Sequence, residues 1–349
     1  MKKTVLYFHT NLSSFAKKDV EILEKEFSVR KFHFRVPSKI LLPFVFAQQK
    51  LFLLLNIFSS SLIVCQFGGY HSFLPVLLAR IFGKKSLIIT GGVDCVSYPS
   101  FNYGYLHKFP LGIFTKWSYL LASHISPKHK SLILSDDNYY GIDFPKQGLK
   151  YFMPHLKTPF TVIHNGYSPC PALLPERKKN SFITVSLGFE YGFQLQLKGI
   201  DLIFVVAEFF PECEFNILGV SADITFQPPS QNIKFIPPKK SEELNNFYSQ
   251  SEFYLQLSIS EGFPNSLCEA MLCGCIPIVS HVGAMPEIIG DSGFILKKRN
   301  IEMLKKIIEE AIVCDKKNLS EKARKRIEEN YSLKKRNDNL LALVNSFTN

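Results

Sequence analysis

Short apolar runs of strand length alternate with longer amphipathic segments along the first part of the chain. TVLYF (4–8) is followed by the polar loop HTNLSSF and a helix predicted from Ala16 to Phe27, and VRKFHF (29–34) is the next strand. LIVCQFGGY (62–70) reads as a strand ending in a double glycine, and HSFLPVLLARIFG (71–83) as the helix after it, closed by Gly83. SLIITGGVD (86–94) repeats the pattern, with its strand running into Gly91, Gly92 and Asp94. PSFNYGY (99–105) is an aromatic loop, and the segment around Trp117 to Ala122 is helical.

The second part of the chain has the same rhythm. SFITVSLG (181–188), FNILG (215–219), IKFI (233–236), FYLQL (253–257) and CIPIV (275–279) are strand-length runs, and LKGIDLIFVVAEFF (197–210) reads as one helix. Beyond SGFIL (292–296), a helix carries Ile301, Leu304, Ile308 and Ile312 on one face, and the tail has an apolar stripe at Leu340, Leu343, Val344 and Phe347. Strand and helix alternating in this way predict an α/β protein built on doubly wound parallel sheets. A chain of 349 residues exceeds what one core usually organises. Pro169, Pro171 and Pro175, followed by ERKKN (176–180), mark the connection, so two domains are expected, 1–168 and 169–335, with a terminal helix over 336–349.

Charge changes the picture more than composition does. Residues 1–160 hold 20 Lys and Arg against 8 Asp and Glu, whereas the remainder holds 21 against 22. The basic excess therefore sits in the first half and points to an anionic partner; no nucleic-acid module accompanies it, so a lipid surface or an anionic acceptor is expected in place of nucleic acid. Pro37 to Phe58, flanked by Arg35, Lys39 and Lys50, leaves three readings open: a buried helix pair, an interfacial amphipathic element, or a membrane span. Pro43, Gln48, Gln49 and Lys50 interrupt it, and a span needs about 20 apolar residues, so no span is predicted. Thr4 to Phe8 is too short for a signal h-region. The eight Cys show no framework spacing, and Cys268, Cys273 and Cys275 with His281 fit a zinc site poorly. A reducing, cytoplasmic location without a metal follows, with a peripheral position at the inner face of the cell membrane as its extension.

The densest chemistry lies in SISEGFPNSLCEAMLCGCIPIVSHVGAMPE, from Ser258 to Glu287. A loop follows a strand, Pro264 marks a helix start, Asn265 and Ser266 are placed to cap it, Gly274 ends it, a strand follows, and HVGAMPE is a turn. In such a crossover unit the loop faces the ligand crevice, and the helix amino terminus suits a phosphate. Gly262 permits close approach of a ligand; Glu261 and Glu269 would repel a diphosphate unless aimed at hydroxyl groups, which a sugar and a ribose provide. An ordinary capped core helix is the alternative reading of the same string.

Glu261 and Glu269, embedded in EGFPNSLCEAMLCGCIPIVSHVGAMPEII, resemble the donor-site motif of retaining GT-B glycosyltransferases of family four, the glycogen-synthase-like group. The resemblance implies a GT-B fold, two Rossmann-like domains facing a central cleft, with an acceptor domain first and a donor domain second. It implies that Glu261 contacts the transferred sugar, Glu269 holds the ribose, and backbone around Gly262, Phe263, Asn265, Ser266 and Leu267 lies near sugar and phosphates. Lys198-Gly199 matches the family's Lys-Gly clamp on the diphosphate, and Gly188 and Gly219 close onto the nucleotide side. TVIHNGYSP (161–169) resembles the end of the family's first domain, and His124–Ile133 its strand and Ser-containing turn, where Lys128 and Lys130 are expected in solvent. The resemblance also sends the terminal helix back across to the first domain.

Three departures stand out. Phe189 and Glu190 follow Gly188 where the family has an Arg, and Gly91-Gly92-Val93-Asp94 replaces the family's His before Gly, leaving His71 or Asp94 to substitute. No glycine lies between Phe8 and Val20 to cradle a phosphate. The chain thus reads as a metal-independent hexosyl- or related glycosyltransferase that takes a nucleotide-diphosphate sugar as co-substrate, needs no cofactor, and acts on a glycan or lipid-linked acceptor. Two alternatives share the fold: a non-catalytic nucleotide-sugar-binding relative and a nucleotide-sugar epimerase.

Overall fold

The computed structural model describes residues 2–11, 14–136, 138–141, 146–169, 176–189, 193–221 and 227–348. Part of the first strand-to-helix loop, the linker prolines Pro171 and Pro175, and Glu190 lie outside these residues. The chain divides into two compact units, Met1–Ser135 with Lys146–Asn165 and Lys334–Asn349, and Asp136–Pro145 with Gly166–Leu333.

The first unit is a parallel sheet of β1 (Thr4–His9), β2 (Ser28–His33), β3 (Ser60–Gln66), β4 (Lys85–Ile89) and, after the short hairpin β5 (Ser97–Tyr98) and β6 (Tyr103–Gly104), β7 (His124–Ser126). Its strand order is β2-β1-β3-β4-β7. Helices α1 (Ser14–Glu24), α2 (Leu42–Asn56), α3 (Tyr70–Ile81), α4 (Leu111–Leu121) and α5 (Leu149–Phe152) complete it. Side chains alternate across a strand, so β1 sends Leu6 and Phe8 into one core layer and Val5 and Tyr7 into the other. Burial on both faces is why β1 is a continuous apolar run.

The second unit is a six-stranded parallel sheet of β8 (Lys178–Phe189), β9 (Glu214–Val220), β10 (Ile233–Ile236), β11 (Ser251–Gln256), β12 (Ile276–Ser280) and β13 (Phe294–Leu296), ordered β10-β9-β8-β11-β12-β13. Phe215, Phe182 and Phe253 stack across its three central strands with centroids 4.9 and 4.8 Å apart. Its helices are α6 (Phe193–Lys198), α7 (Ile200–Ala207), α8 (Ser241–Gln250), α9 (Asn265–Leu272), α10 (Met285–Ile289), α11 (Ile301–Val313) and α12 (Lys316–Asn330). The final helix, α13 (Leu333–Thr348), belongs almost wholly to the first unit, where Leu340 and Val344 enter the layer containing Val5 and Tyr7.

Several expectations are corrected. The helix expected over 197–210 is two helices, because Gly199 takes a left-handed φ of 71° between them. HVGAMPE is not only a turn; it winds into α10 at Met285. The segment after Ser135, expected in the first domain, packs with the second unit, where Tyr139 is buried, its carbonyl accepts from Arg299 N at 2.9 Å, and Lys298 Nζ donates to Asn138 O. Lys128, expected in solvent, is buried with Nζ 3.6 Å from Asp19, itself buried and paired with Arg336 of α13. Arg336 Nη1 also donates to His164 O at 2.6 Å. Burial, and secondarily the Arg336 charge, bring the Lys128 ammonium down to about 7, against the pull of Asp19.

Candidate active site

In the second unit, the loop after β11 carries Glu261 and leads into α9. The loop is itself buried at Leu257, Ser258, Ile259 and Ser260, so its polar groups need internal partners. Gln256 supplies them. Its Nε2 donates to Ser258 Oγ at 2.8 Å and to Glu261 Oε1 at 3.1 Å, while its Oε1 accepts from Tyr254 Oη at 2.8 Å and Ser266 Oγ at 3.3 Å. Ser258 Oγ is 3.0 Å from the same Glu261 oxygen. Burial, with a smaller push from the nearby Glu261 and Glu269 carboxylates, drives the Tyr254 phenol well up, so it stays protonated and donates.

Two glycines let the pieces meet. A Cβ on Gly199, at φ +71°, would lie 2.3 Å from Leu257 O, so only glycine lets the α6–α7 break press against the end of β11. Ile259 N then bonds Leu197 O at 2.9 Å, and Lys198 Nζ reaches Glu261 Oε1 at 2.7 Å. Gly283, at φ +57°, lies under the same loop; a Cβ there would be 1.9 Å from Glu261 O. The Glu261 carboxylate is thus held from its own loop, from β11 and from α6.

Helix α9 begins after Pro264, which brings no capping side chain. Helix geometry leaves the first-turn amides, here those of Asn265, Ser266 and Leu267, outside the helical ladder and suited to an anion. The Oδ1 of Asn265, expected to cap, accepts from Tyr167 Oη at 2.7 Å. Phe263 is buried edge-on against Tyr331, ring centroids 5.3 Å apart, beside Gly262. Leu267 is buried, and Glu269 is half-buried farther along α9. Gly188 lies near the end of β8, and Gly219 near the end of β9 with φ 96°. Lys198, Glu261 and the α9 start are therefore brought together at the carboxyl end of the sheet.

His71 and Asp94 lie in the first unit. A cleft of about 380 Å³ opens there at the carboxyl ends of β1, β2 and β3, lined by Thr10, Arg35, Phe67, Tyr70, His71 and Tyr105 among others. It sits where the chain, having run outward from β1 to β2, returns to place β3 on the other side, the switch point at which such sheets bind ligands. His71 Nε2 meets Gln66 O, a carbonyl that can only accept, so Nε2 carries the proton and Nδ1 keeps the lone pair. Burial holds the imidazole below its usual range and so neutral at pH 7.

Asp94, the other residue expected to substitute for the family's His, ties the two glycine loops together. It is fully buried, and its carboxylate accepts from the amides of Gly68 at 2.9 Å, Gly91 at 3.1 Å and Gly92 at 2.9 Å, and from Tyr119 Oη. It clasps the two glycine loops and is spent on them. Behind the cleft, His9 stacks on His33 with centroids 5.0 Å apart; burial first, then the charges of His33 and His71, lowers His9 to about 4. Among the described residues no group of three His, Cys, Asp or Glu side chains could hold a metal ion, and Cys268, Cys273 and Cys275 are buried free thiols.

Sequence reasoning missed Gln256, Ser258, Gly283 and Tyr167 in the second unit and Arg35 and Tyr70 in the first. A glutamine inside the otherwise apolar FYLQL was the available signal for the hub.

Comparison with known proteins bears on this arrangement. Residues 205–331 match the family model described as glycosyl transferases group 1, a span that contains Glu261 and Glu269 but not Lys198. O-antigen chain mannosyltransferase B of Escherichia coli is 28% identical over 72 residues, which are 21% of this chain and 19% of that protein. The match thus spans about a fifth of the curated relative. Sucrose-phosphate synthase from Thermosynechococcus elongatus superposes with a TM-score of 0.74 at 12% identity, covering 99% of each chain. HepE from Anabaena, solved with UDP, superposes with a TM-score of 0.68 at 13% identity, covering 99% of this chain and 100% of that one. The chain therefore has the fold of the GT-B glycosyltransferases, two Rossmann-like units, and residues 205–331 of its second unit match glycosyl transferases group 1.

Proposed function

We propose that the protein is a retaining, metal-independent glycosyltransferase of the family-four kind, moving a hexose or related sugar from a nucleoside-diphosphate sugar to a glycan or lipid-linked acceptor. The observation that carries this reading is the Lys198–Glu261 pair at 2.7 Å beside the start of α9, a cation and a carboxylate at one helix amino terminus. A nucleotide sugar offers the matching pair, a diphosphate next to a ring of hydroxyls. The relatives support it: HepE has been solved with UDP and with UDP-glucose, and the curated relative is an O-antigen chain mannosyltransferase.

In this reading Lys198 and the first-turn amides of α9 stabilise the departing diphosphate. Glu261 orients the sugar and offsets the positive charge that grows on its ring, and Glu269 holds the ribose. The bond from sugar C1 to the diphosphate oxygen breaks as C1 bonds the acceptor oxygen on the same face; the hydroxyl proton passes to a phosphate oxygen. Tyr70, Tyr105 and Arg35 of the first-unit cleft contact the acceptor, and His71 Nδ1 accepts from one of its hydroxyls.

Melting the protein with UDP, GDP and ADP tests the donor site. One nucleotide raises the melting temperature by several degrees in wild type and not in Glu269→Ala. No shift with any of them, in folded protein, sinks the assignment. Transfer in the presence of EDTA, with the product's anomeric configuration read by NMR, tests the reaction. Phe189 in place of a diphosphate-clamping Arg favours a second reading, binding without turnover. Nucleotide binding with no product from any acceptor, and no epimer, would select it.

A further inference from the structure

Helix α2 is apolar on both sides. Val45, Gln49 and Leu53 face the protein, whereas Phe44, Leu51 and Leu55 share the opposite face, continued by Phe58 just beyond the helix end. Leu55 is 73% exposed and Phe58 68%. The apolar surface does not stop at α2. Phe58 packs on exposed Phe82 after α3, centroids 5.1 Å apart, and Phe73 of α3 packs on Trp117 of α4, which is 53% exposed. A soluble surface seldom carries so many large apolar side chains side by side without a partner.

The charge around this face says what the partner is. Between Ser28 and Leu121 the chain has ten Lys or Arg and a single acid, Asp94, which is buried and committed to the glycine loops. Several of the cations border the apolar side chains. Lys50 is within α2, Arg80 precedes exposed Ile81, Lys116 precedes Trp117, Lys84 Nζ donates to Phe58 O at 3.1 Å, and the Arg30 guanidinium bonds Asn56 at the end of α2. A second copy of this chain seated on the face by two-fold symmetry would bring the same cations against each other. Anionic lipid accepts both features at once, the large apolar side chains in the headgroup–acyl boundary and the cations at the phosphates. The helix is too short to do more: 15 residues reach about 22 Å, against a hydrocarbon core of about 30 Å. Among the described residues no helix is long and apolar enough to cross a membrane.

We infer that the outward face of α2, with the adjoining exposed side chains of α3 and α4, docks on an anionic lipid bilayer. This goes beyond the donor chemistry and does not depend on it. It bears on the acceptor through Phe46 of α2, whose ring lies 5.3 Å from Phe34 and 6.4 Å from Tyr70, both in the cleft wall. The docked face and the cleft therefore share side chains.

Trp117 is the single tryptophan of the chain, so its emission reports on this face alone. Titration with mixed phosphatidylglycerol–phosphatidylcholine vesicles shifts the emission to the blue and sediments the protein; phosphatidylcholine alone does neither. Added salt weakens the effect. The double substitution Leu51→Ser, Leu55→Ser, at exposed positions, lowers the bound fraction roughly tenfold or more. Lys50→Glu with Lys116→Glu lowers it as well, and both variants keep the wild-type nucleotide-induced melting shift. Absence of a blue shift with anionic vesicles, in protein that melts cooperatively, overturns the inference. So does a shift that follows protein concentration without vesicles and accompanies a dimer in light scattering, which would assign the face to a second copy.

Discussion

The loop after β11 and the outer face of α2 treat water in opposite ways. The first packs a carboxylate, a lysine, a glutamine and two serines into a largely buried backbone, with partners drawn from β11, α6 and α9. The second leaves phenylalanines and leucines outside, bordered by lysines and arginines such as Lys84, which donates to Phe58 O, and Arg30, which bonds Asn56. Buried polar groups are stabilising only when satisfied, and exposed apolar ones only when something covers them. The proposed donor side is thus assembled within one unit, whereas the inferred role of the α2 face needs an external surface. One is a site made by the fold, the other a site made by an encounter.

The sharpest break of the donor side is Glu261→Gln, which keeps the size of the side chain and removes its charge. Transfer falls by roughly a thousandfold, mostly in kcat. Steady-state assay with the nucleotide sugar identified by melting checks this, and activity within threefold or so of wild type would remove Glu261 from the reaction. Next comes Gly283→Ala, which places a methyl against the Glu261 carbonyl at a left-handed φ. It destabilises the second unit by about 3 kcal/mol, read in denaturant. A neutral result would mean that the loop moves aside without loss, and the contrast with the externally covered face of α2 would weaken.

The effect that is smallest at each step of pH lies in the first unit, inside and not on its surface. Lys128 binds its proton at about 7 when folded and near its usual alkaline value when unfolded. Above about pH 7 the unfolded chain therefore holds more protons, and stability rises with pH, by up to about 1.4 kcal/mol per unit, until the unfolded lysine titrates. Urea melts across this range show the slope in wild type, and Lys128→Met removes it. An unchanged slope in the variant would place the titration elsewhere.

The strand–loop–helix frame of the proposed donor side was legible because its signals are local. Glu261, Gly262, Pro264 and Glu269 lie in one strand–loop–helix string, and so do the strands that flank them. What escaped was set by distant approach. A single glycine is tolerated within a helix, so the break of the 197–210 run at Gly199 is visible only once Leu257 is seen against it. Asp94 was read only as a substitute for the family's His because Gly68, in the other loop, could not be seen donating to it. Lys128 looked solvated because Asp19 and Arg336 come from opposite ends of the chain. For α2 the composition was plain but the orientation was not: apolar side chains all round leave no face for periodicity to choose.

The place of α13 has a consequence for the order in which the protein is made. Leu340 and Val344 complete a core layer of the first unit, and Arg336 supplies the partner of buried Asp19. A chain emerging from the ribosome has every segment of the second unit before it has these residues. The usual sequence, amino-terminal domain first, is thereby reversed at its last step. The unit encoded second can finish folding while the unit encoded first still waits for the final helix.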